Sequence, residues 1–461
     1  MKSNTALTEE YFELLTSLDG DIEGRKKAFS YMKNSTAIVH ERVVACSFIP
    51  RLFNNESWET FKTISETTHA ILCKVITHYL ENEDYRSVFS FDKRLEELIL
   101  IPRRYEAVLP FARIDVFLDE DTLECGFCEF NGDGSAGMNE NREITHSIEQ
   151  SETFKRFSTT HRIETCELFE SWVNEFISIY QTFENKVETP HFAICDYLEC
   201  GVVDEFYVYC DYFAQKGYSC CVCDVRNLHF DGTTLTNDKG ERIDAIWRRS
   251  VTNDVLEYWD ESQDLIEAVK AGAVALIGSF AGHLVHDKQI FEALRHPLTK
   301  AFLTNEENAF VERHVPQTLF LDDSEIDLNE VRSNKDAWII KPTDNYGAKD
   351  VYSGMACTQE KWNELIDTFA NGASGAPFIV QTYIKPFKTR TLPPDVSLED
   401  KDAPVSSVFI FIMEPIKAFS RVSDPIPLSV KITRVSLQQL FTFATKGLGL
   451  PCITRFSIAF W

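Results

Sequence analysis

Between positions 190 and 278, strand-length apolar runs alternate with helix-length runs, and this alternation most narrows the folds open to the chain. The run 191–195 ends in Asp196 and is followed by a helical pattern over 203–216 and a strand over 219–225. Turn residues (Phe230-Asp231-Gly232, then Asn237 to Gly240) lead to a strand over 243–247, a helix over 255–271 and a strand over 274–278. Parallel strands need a crossover of a dozen or more residues, usually a helix, so this spacing predicts a largely parallel, Rossmann-like unit. Around it lie a helical region over 1–105, where apolar residues recur at three and four (Leu72, Val75, Ile76, Tyr79), and a helix over 163–183. A later region carries a strand over 337–341, a helix over 359–371 and a strand over 377–384. At 461 residues the chain exceeds one core and suggests two to four domains; its character changes at 105/106, 187/188, 300/301 and 410/411, which mark five regions including the tail.

Two short polar patterns interrupt this apolar background. Arg113-Ile114-Asp115 and Glu129-Phe130-Asn131 each place two polar side chains at i and i+2, which face the same way on a strand. Asp119-Glu120-Asp121-Thr122 between them predicts a hairpin, with Glu129 almost opposite Arg113. One sheet face then carries a guanidinium, two carboxylates and a neutral oxygen. Mg²⁺ takes oxygen ligands and shares its shell with substrate phosphates, and Arg matches phosphate oxygens bidentately. A cross-strand ladder of surface ion pairs would show the same charges, but has no need of the Asn. The loop Gly132-Asp133-Gly134-Ser135-Ala136-Gly137 follows, and glycines of this kind let backbone N–H groups approach an anion or simply make a turn.

Further along, Trp338-Ile339-Ile340-Lys341-Pro342 is an apolar strand ending in a Lys before a polar loop, where a point charge can meet nucleotide phosphates or snorkel to solvent. Phe378 to Ile384 reads as a buried strand whose edge could hydrogen-bond an adenine, or as plain core. Lys288 lies near a helix start and reads alone as a solvated lysine; Arg248 and Arg249 follow a strand end and are either anion-holding or solvated.

Composition removes several alternatives. A net charge of −26 disfavours nucleic acid and anionic membranes, while suiting a cationic partner such as a polyamine. No run of eighteen apolar residues suggests a membrane span, and Met1 to Thr5 lead into no apolar signal segment, so a cytoplasmic location is expected. Thirteen cysteines without a second well-spaced pair read as reduced structural thiols, not as a zinc site.

Taken in order, Arg-x-Asp, Glu-x-Asn a hairpin later, a Lys on a helix after the Rossmann-like unit, Lys-Pro on a strand and a Gln-x-Tyr-Ile strand resemble glutathionylspermidine synthase, in its ATP-grasp synthetase part, over about 106–410. The resemblance implies an α/β (α+β) fold of ATP-grasp type with a Rossmann-like unit before it and an N-terminal helical region. It implies a ligase using ATP and Mg²⁺ to phosphorylate a peptide-like carboxylate, which a polyamine-like amine then attacks to give an amide. Residue by residue, Asp115, Glu129 and Asn131 match the Mg²⁺ ligands, and Arg113 the catalytic Arg that steadies the reacting group. Lys288 and Lys341 match the nucleotide-phosphate lysines, and Gln381, Tyr383 and Ile384 the adenine side. No Cys/His amidase module of the bifunctional members is expected in the first hundred residues. The alternative is an ATP-binding pseudoenzyme or interaction protein on the same scaffold.

Residues 411–461 differ in character. They carry six basic residues (Lys417, Arg421, Lys431, Arg434, Lys446, Arg455) against Glu414 and Asp424, and the periodicity fades after Phe411. The family places a further strand and a catalytic Arg here, for which Arg421 is a poor match. A frame-shifted or truncated end is the expectation, and resequencing the gene across Met413 tests it.

Overall fold

In a computed structural model, residues 3–392 are described apart from 40–41, 45, 166, 325, 346–349 and 372–376, together with the strand backbones at 401–404, 407–413 and 431–436. The predicted Rossmann-like unit is present. Four parallel strands stand in the order Ala275–Ile277, Ala245–Arg248, His191–Asp196, Ser219–Asp224. The helix Val203–Gln215 supplies the first crossover. Phe192, Ile194, Trp247 and Ile277 pack with Trp172, Phe176 and Tyr209 on one face, whereas Ala193, Cys195, Ile246 and Leu276 pack with Val255, Ile266 and Val269 on the other. Burial on both faces is why these strands read as continuous apolar runs.

Two helices differ from expectation. The 255–271 pattern is broken into Thr252–Glu257 and Gln263–Ala271. At the break the Ser262 hydroxyl bonds Tyr197 Oη at 2.5 Å and the Tyr258 carbonyl at 2.7 Å, tying the connecting turn to the end of the His191–Asp196 strand. The 163–183 pattern shortens to Phe169–Tyr180, preceded by a separate helix Glu152–Thr160.

The second sheet is antiparallel and contains the predicted hairpin, Phe111–Leu118 and Cys125–Asn131. Its inner strand pairs on the other side with Ser407–Met413, which in turn pairs with Lys431–Ser436. The helical N-terminal region, including Asn4–Ser17 and Asn55–Glu81, covers one face of this sheet through Ile71, Leu72, Val75 and Ile76 against Ile114, Val116 and Phe130. It also grips the hairpin turn: Asn4 Nδ2 donates to the Glu120 carbonyl at 3.0 Å, and Arg51 pairs with the buried Glu120 carboxylate.

A third, antiparallel sheet runs Thr318–Phe320, Phe378–Thr382, Trp338–Pro342, Tyr352–Ser353, with the helix Gln359–Ala370 packed on it through Trp362, Leu365 and Ile366. Among the described residues no helix is long and apolar enough to cross a membrane.

Candidate functional site

The hairpin puts its four polar residues on adjacent rungs, in a register shifted from the predicted one. Asp115 lies opposite Glu129 and Arg113 opposite Asn131. The predicted pairing of Glu129 with Arg113 assumed a tight turn and an even ladder. The Asp119 carbonyl and N–H instead close a six-residue loop onto Leu123 and Glu124, and Cys128 is an extra, bulged residue between the Asp115 and Val116 rungs. A bulge leaves two residues opposite one and re-aims the side chains beyond it. Here it carries Glu129 and Asn131 onto the face of Arg113 and Asp115.

Arg113 and Asp115 are both buried and bonded bidentately: Nε to Oδ1 at 2.8 Å and Nη2 to Oδ2 at 3.2 Å, while Nη1 donates to the Ala136 carbonyl at 2.8 Å. Burial opposes the guanidinium charge, but Asp115 and Glu129 outweigh it and raise its pKa. Lys288 Nζ lies 3.1 Å from Glu129 Oε1 and donates to the Asn345 carbonyl at 2.9 Å. Glu129 titrates below the usual carboxylate range because Lys288 and Arg113 overcome its desolvation. Lys288 is thus a buried, paired cation and not a solvated lysine; it sits just ahead of the helix Gln289–Ala293 and not on it.

Lys341 is brought to the same place from the third sheet. Its Nζ donates to Gln381 Oε1 at 2.9 Å and to the carbonyl of the bulged Cys128 at 3.4 Å. Gln381 is oriented in turn by Nε2 donating to Thr318 Oγ1 at 2.9 Å, a buried partner that the sequence patterns did not single out. Tyr383 and Ile384 fall beyond the end of the Phe378–Thr382 strand. The Tyr383 N–H is bonded to the Ala337 carbonyl at 2.7 Å, and Ile384 Cδ1 sits against Gly126 of the hairpin. Ile384, Thr382 and Gln317 line a cavity of about 1090 Å³ together with Phe117, Cys125 and His314.

Asp115, Glu129 and Asn131 are an all-oxygen donor set on neighbouring rungs, which suits a hard divalent cation. Asn131 Nδ2 is buried with no hydrogen-bond partner among the described residues, so a cation on the amide oxygen would supply the orientation this side chain lacks.

The Gly-rich loop serves packing. A Cβ on Gly132 would lie 2.6 Å from the Gly282 carbonyl, and one on Gly282 would run into the Gly132 carbonyl, so the two backbones cross at glycine contact. Asp133 is fully enclosed, accepting from the Thr252 N–H at 2.8 Å and from its hydroxyl at 2.5 Å, and pairing with Arg248 Nη2 at 2.6 Å. Arg249 pairs with Glu205 at 3.2 Å and donates to the Ser135 carbonyl. Neither arginine is solvated: both lock this loop to the ends of the parallel strands. Arg421 lies outside the described residues.

No protein-family model matches this sequence, and no curated protein matches it. Among solved structures the chain is similar to the glutathione synthetase-like effector GSS30 of Globodera pallida in its apo form, at 10% sequence identity and a TM-score of 0.59, over 85% of this chain and 88% of that one. A D-cycloserine synthetase, DcsG, also matches, at 14% identity and a TM-score of 0.30 over 48% of this chain and 85% of that one. The mixed architecture, with its parallel unit and two antiparallel sheets, is the ATP-grasp type expected from the sequence.

Proposed function

We propose that this chain is an ATP-dependent carboxylate–amine ligase of the glutathionylspermidine synthase kind. One observation carries the reading: Arg113, Asp115, Glu129 and Asn131 share a sheet face onto which Lys288 and Lys341 converge from two other parts of the fold. Asp115, Glu129 and Asn131 would hold Mg²⁺, which neutralises charge on the β- and γ-phosphates of ATP. Lys288 and Lys341 add point charges to the same phosphates, and Gln381, Tyr383 and Ile384 border the adenine. A carboxylate oxygen of a peptide-like acid attacks the γ-phosphorus and ADP leaves. The nitrogen of a polyamine-like amine then attacks the acyl carbon, phosphate leaves, and the amine gives up a proton to form the amide. Arg113, held in place by Asp115 and Ala136, faces the charge that develops. Such transfer needs positioning and charge neutralisation more than covalent work by the protein.

A second reading has its own support. Arg113 is bonded bidentately to Asp115, an arrangement that a nucleotide-binding scaffold without transfer activity would also retain. Calorimetric titration of a non-hydrolysable ATP analogue, with and without Mg²⁺, on wild type and Asp115→Ala, tests the site. Binding that requires Mg²⁺ and weakens in the variant supports it; binding indifferent to both overturns it. A screen of acids and amines for ADP release then separates ligase from scaffold.

A further inference from the structure

One cluster beside this site is not accounted for by nucleotide chemistry. His283 is fully buried, and neither Nδ1 nor Nε2 has a hydrogen-bond partner among the described residues. Yet three carboxylates surround the ring. Nδ1 lies 3.7 Å from Asp133 Oδ2, and Nε2 lies 3.9 Å from both Asp287 Oδ2 and Asp344 Oδ2. The other Asp344 oxygen, Oδ1, is 3.8 Å from Nε2 of His286, whose own Nδ1 is buried without a partner among the described residues. A direct N–H···O bond would close to about 2.7–3.2 Å. All four gaps are too long for that, and the two from His283 Nε2, to Asp287 and to Asp344, are gaps an ion leaves: ligand atoms bound at about 2.0–2.2 Å stand roughly 3–4 Å from one another.

We propose that His283, Asp287 and Asp344 form a cation site distinct from the hairpin, taking a transition-metal ion of the Zn²⁺ or Co²⁺ class. Their ligand atoms lie within 4.8 Å of one another. Imidazole nitrogen beside carboxylate selects such ions over Mg²⁺, whose preference is for oxygen and water. Asp133 completes the arrangement from behind. Held by Arg248 and Thr252, it lies 3.7 Å from His283 Nδ1 as a charge contact and not a closed hydrogen bond, and it leaves Nε2 as the ring nitrogen that faces Asp287 and Asp344. Charge favours the same occupant. Arg248 neutralises Asp133, and Lys288 is engaged by Glu129 and Asn345, which leaves Asp287 and Asp344 facing imidazoles in a largely buried space. A dication there offsets both carboxylates.

The consequence is mechanical. Asp344 opens the polar loop after the Lys341 strand, and Asp287 adjoins Lys288. The ion would pin that loop to the lysine segment, reinforcing the bonds from Lys288 N–H to the Thr343 carbonyl at 2.8 Å and from Lys288 Nζ to Asn345.

The test is Co²⁺ titration of the full, nucleotide-free chain, followed by visible absorption and by counting retained metal after dialysis. One equivalent with the bands of a nitrogen–oxygen site is expected. Binding should weaken about tenfold or more in His283→Gln and in Asp344→Asn, and persist in Asp115→Ala, so that it stands even if the ligase reading fails. The idea is overturned if the wild type retains no stoichiometric Co²⁺, if binding survives both cluster variants, or if thiolate charge-transfer bands place the ion at His191, Cys221 and Glu241, the other described group with metal-ligating spacing. The wild-type titration decides by itself should either variant fold poorly.

Discussion

The carboxyl-end edge of the parallel sheet and the face of the hairpin use the same kinds of charge and put them to opposite uses. At the sheet edge, the Arg248 and Asp133 side chains are 0% exposed and Arg249 and Glu205 are 2% exposed. On the hairpin, Glu129 is 27% exposed although Lys288 beside it is 7%. Ion pairs withdrawn wholly from water fasten one element to another and have nothing left to offer a ligand. Pairs that keep one side open can exchange a protein partner for a substrate oxygen or a cation. Between the Arg248–Asp133 and Lys288–Glu129 pairs, exposure and not residue type is the difference.

The comparison can be broken most severely at Arg248. Arg248→Met leaves Asp133 enclosed without its cation and should cost about 3–5 kcal/mol in urea unfolding; a loss below about 1 kcal/mol would put this pair on a level with surface pairs. Gly282→Ala forces a Cβ into the Gly132 carbonyl and should cost about 1–3 kcal/mol, measured as a lower thermal midpoint without loss of far-ultraviolet dichroism. Glu129→Gln sharpens the other side of the contrast. Mg²⁺-dependent affinity for the ATP analogue should fall about 10- to 100-fold, while unfolding free energy falls by less than in Arg248→Met, because Glu129 keeps contact with water. The last effect is a slope and not a single value. Burial raises the Asp196 carboxyl to about 7, so its folded form binds a proton that the unfolded chain has already released. Its contribution to stability is complete below the ordinary carboxylate pKa and is lost as pH rises toward 7. Asp196→Asn, which cannot ionise, should therefore gain stability relative to wild type between pH 4 and pH 8, read by denaturant midpoints across that range; a constant difference would show that Asp196 is ionised throughout.

What could be read in the sequence follows the range of the interaction. The hairpin, the parallel unit and the Lys341 strand announce themselves through periodicity and turn residues close in the chain. The bulge at Cys128 does not, because an extra residue in a ladder has no side-chain signature; it accounts for one position of the two-position register difference, and the longer loop at Asp119–Glu124 for the other. Arg248 reads as solvated because Asp133, more than a hundred residues earlier, is invisible in its neighbourhood. His283 is not singled out by any sequence pattern, because Asp344 is brought beside it from another part of the fold. The convergence of Lys288 and Lys341 was supplied by resemblance, since neither lysine carries a local sign of burial.

The strand that bears Arg113 and Asp115 is bordered on its second side by Ser407–Met413. At about 5–20 residues per second on the ribosome, the roughly 290 residues between the two take about 15–60 seconds to appear. Throughout that interval the backbone beside the site is an unpaired edge, open to any extended segment nearby. Synthesis of this chain should therefore be more sensitive to chaperone supply and to pauses before codon 407 than its finished stability would suggest.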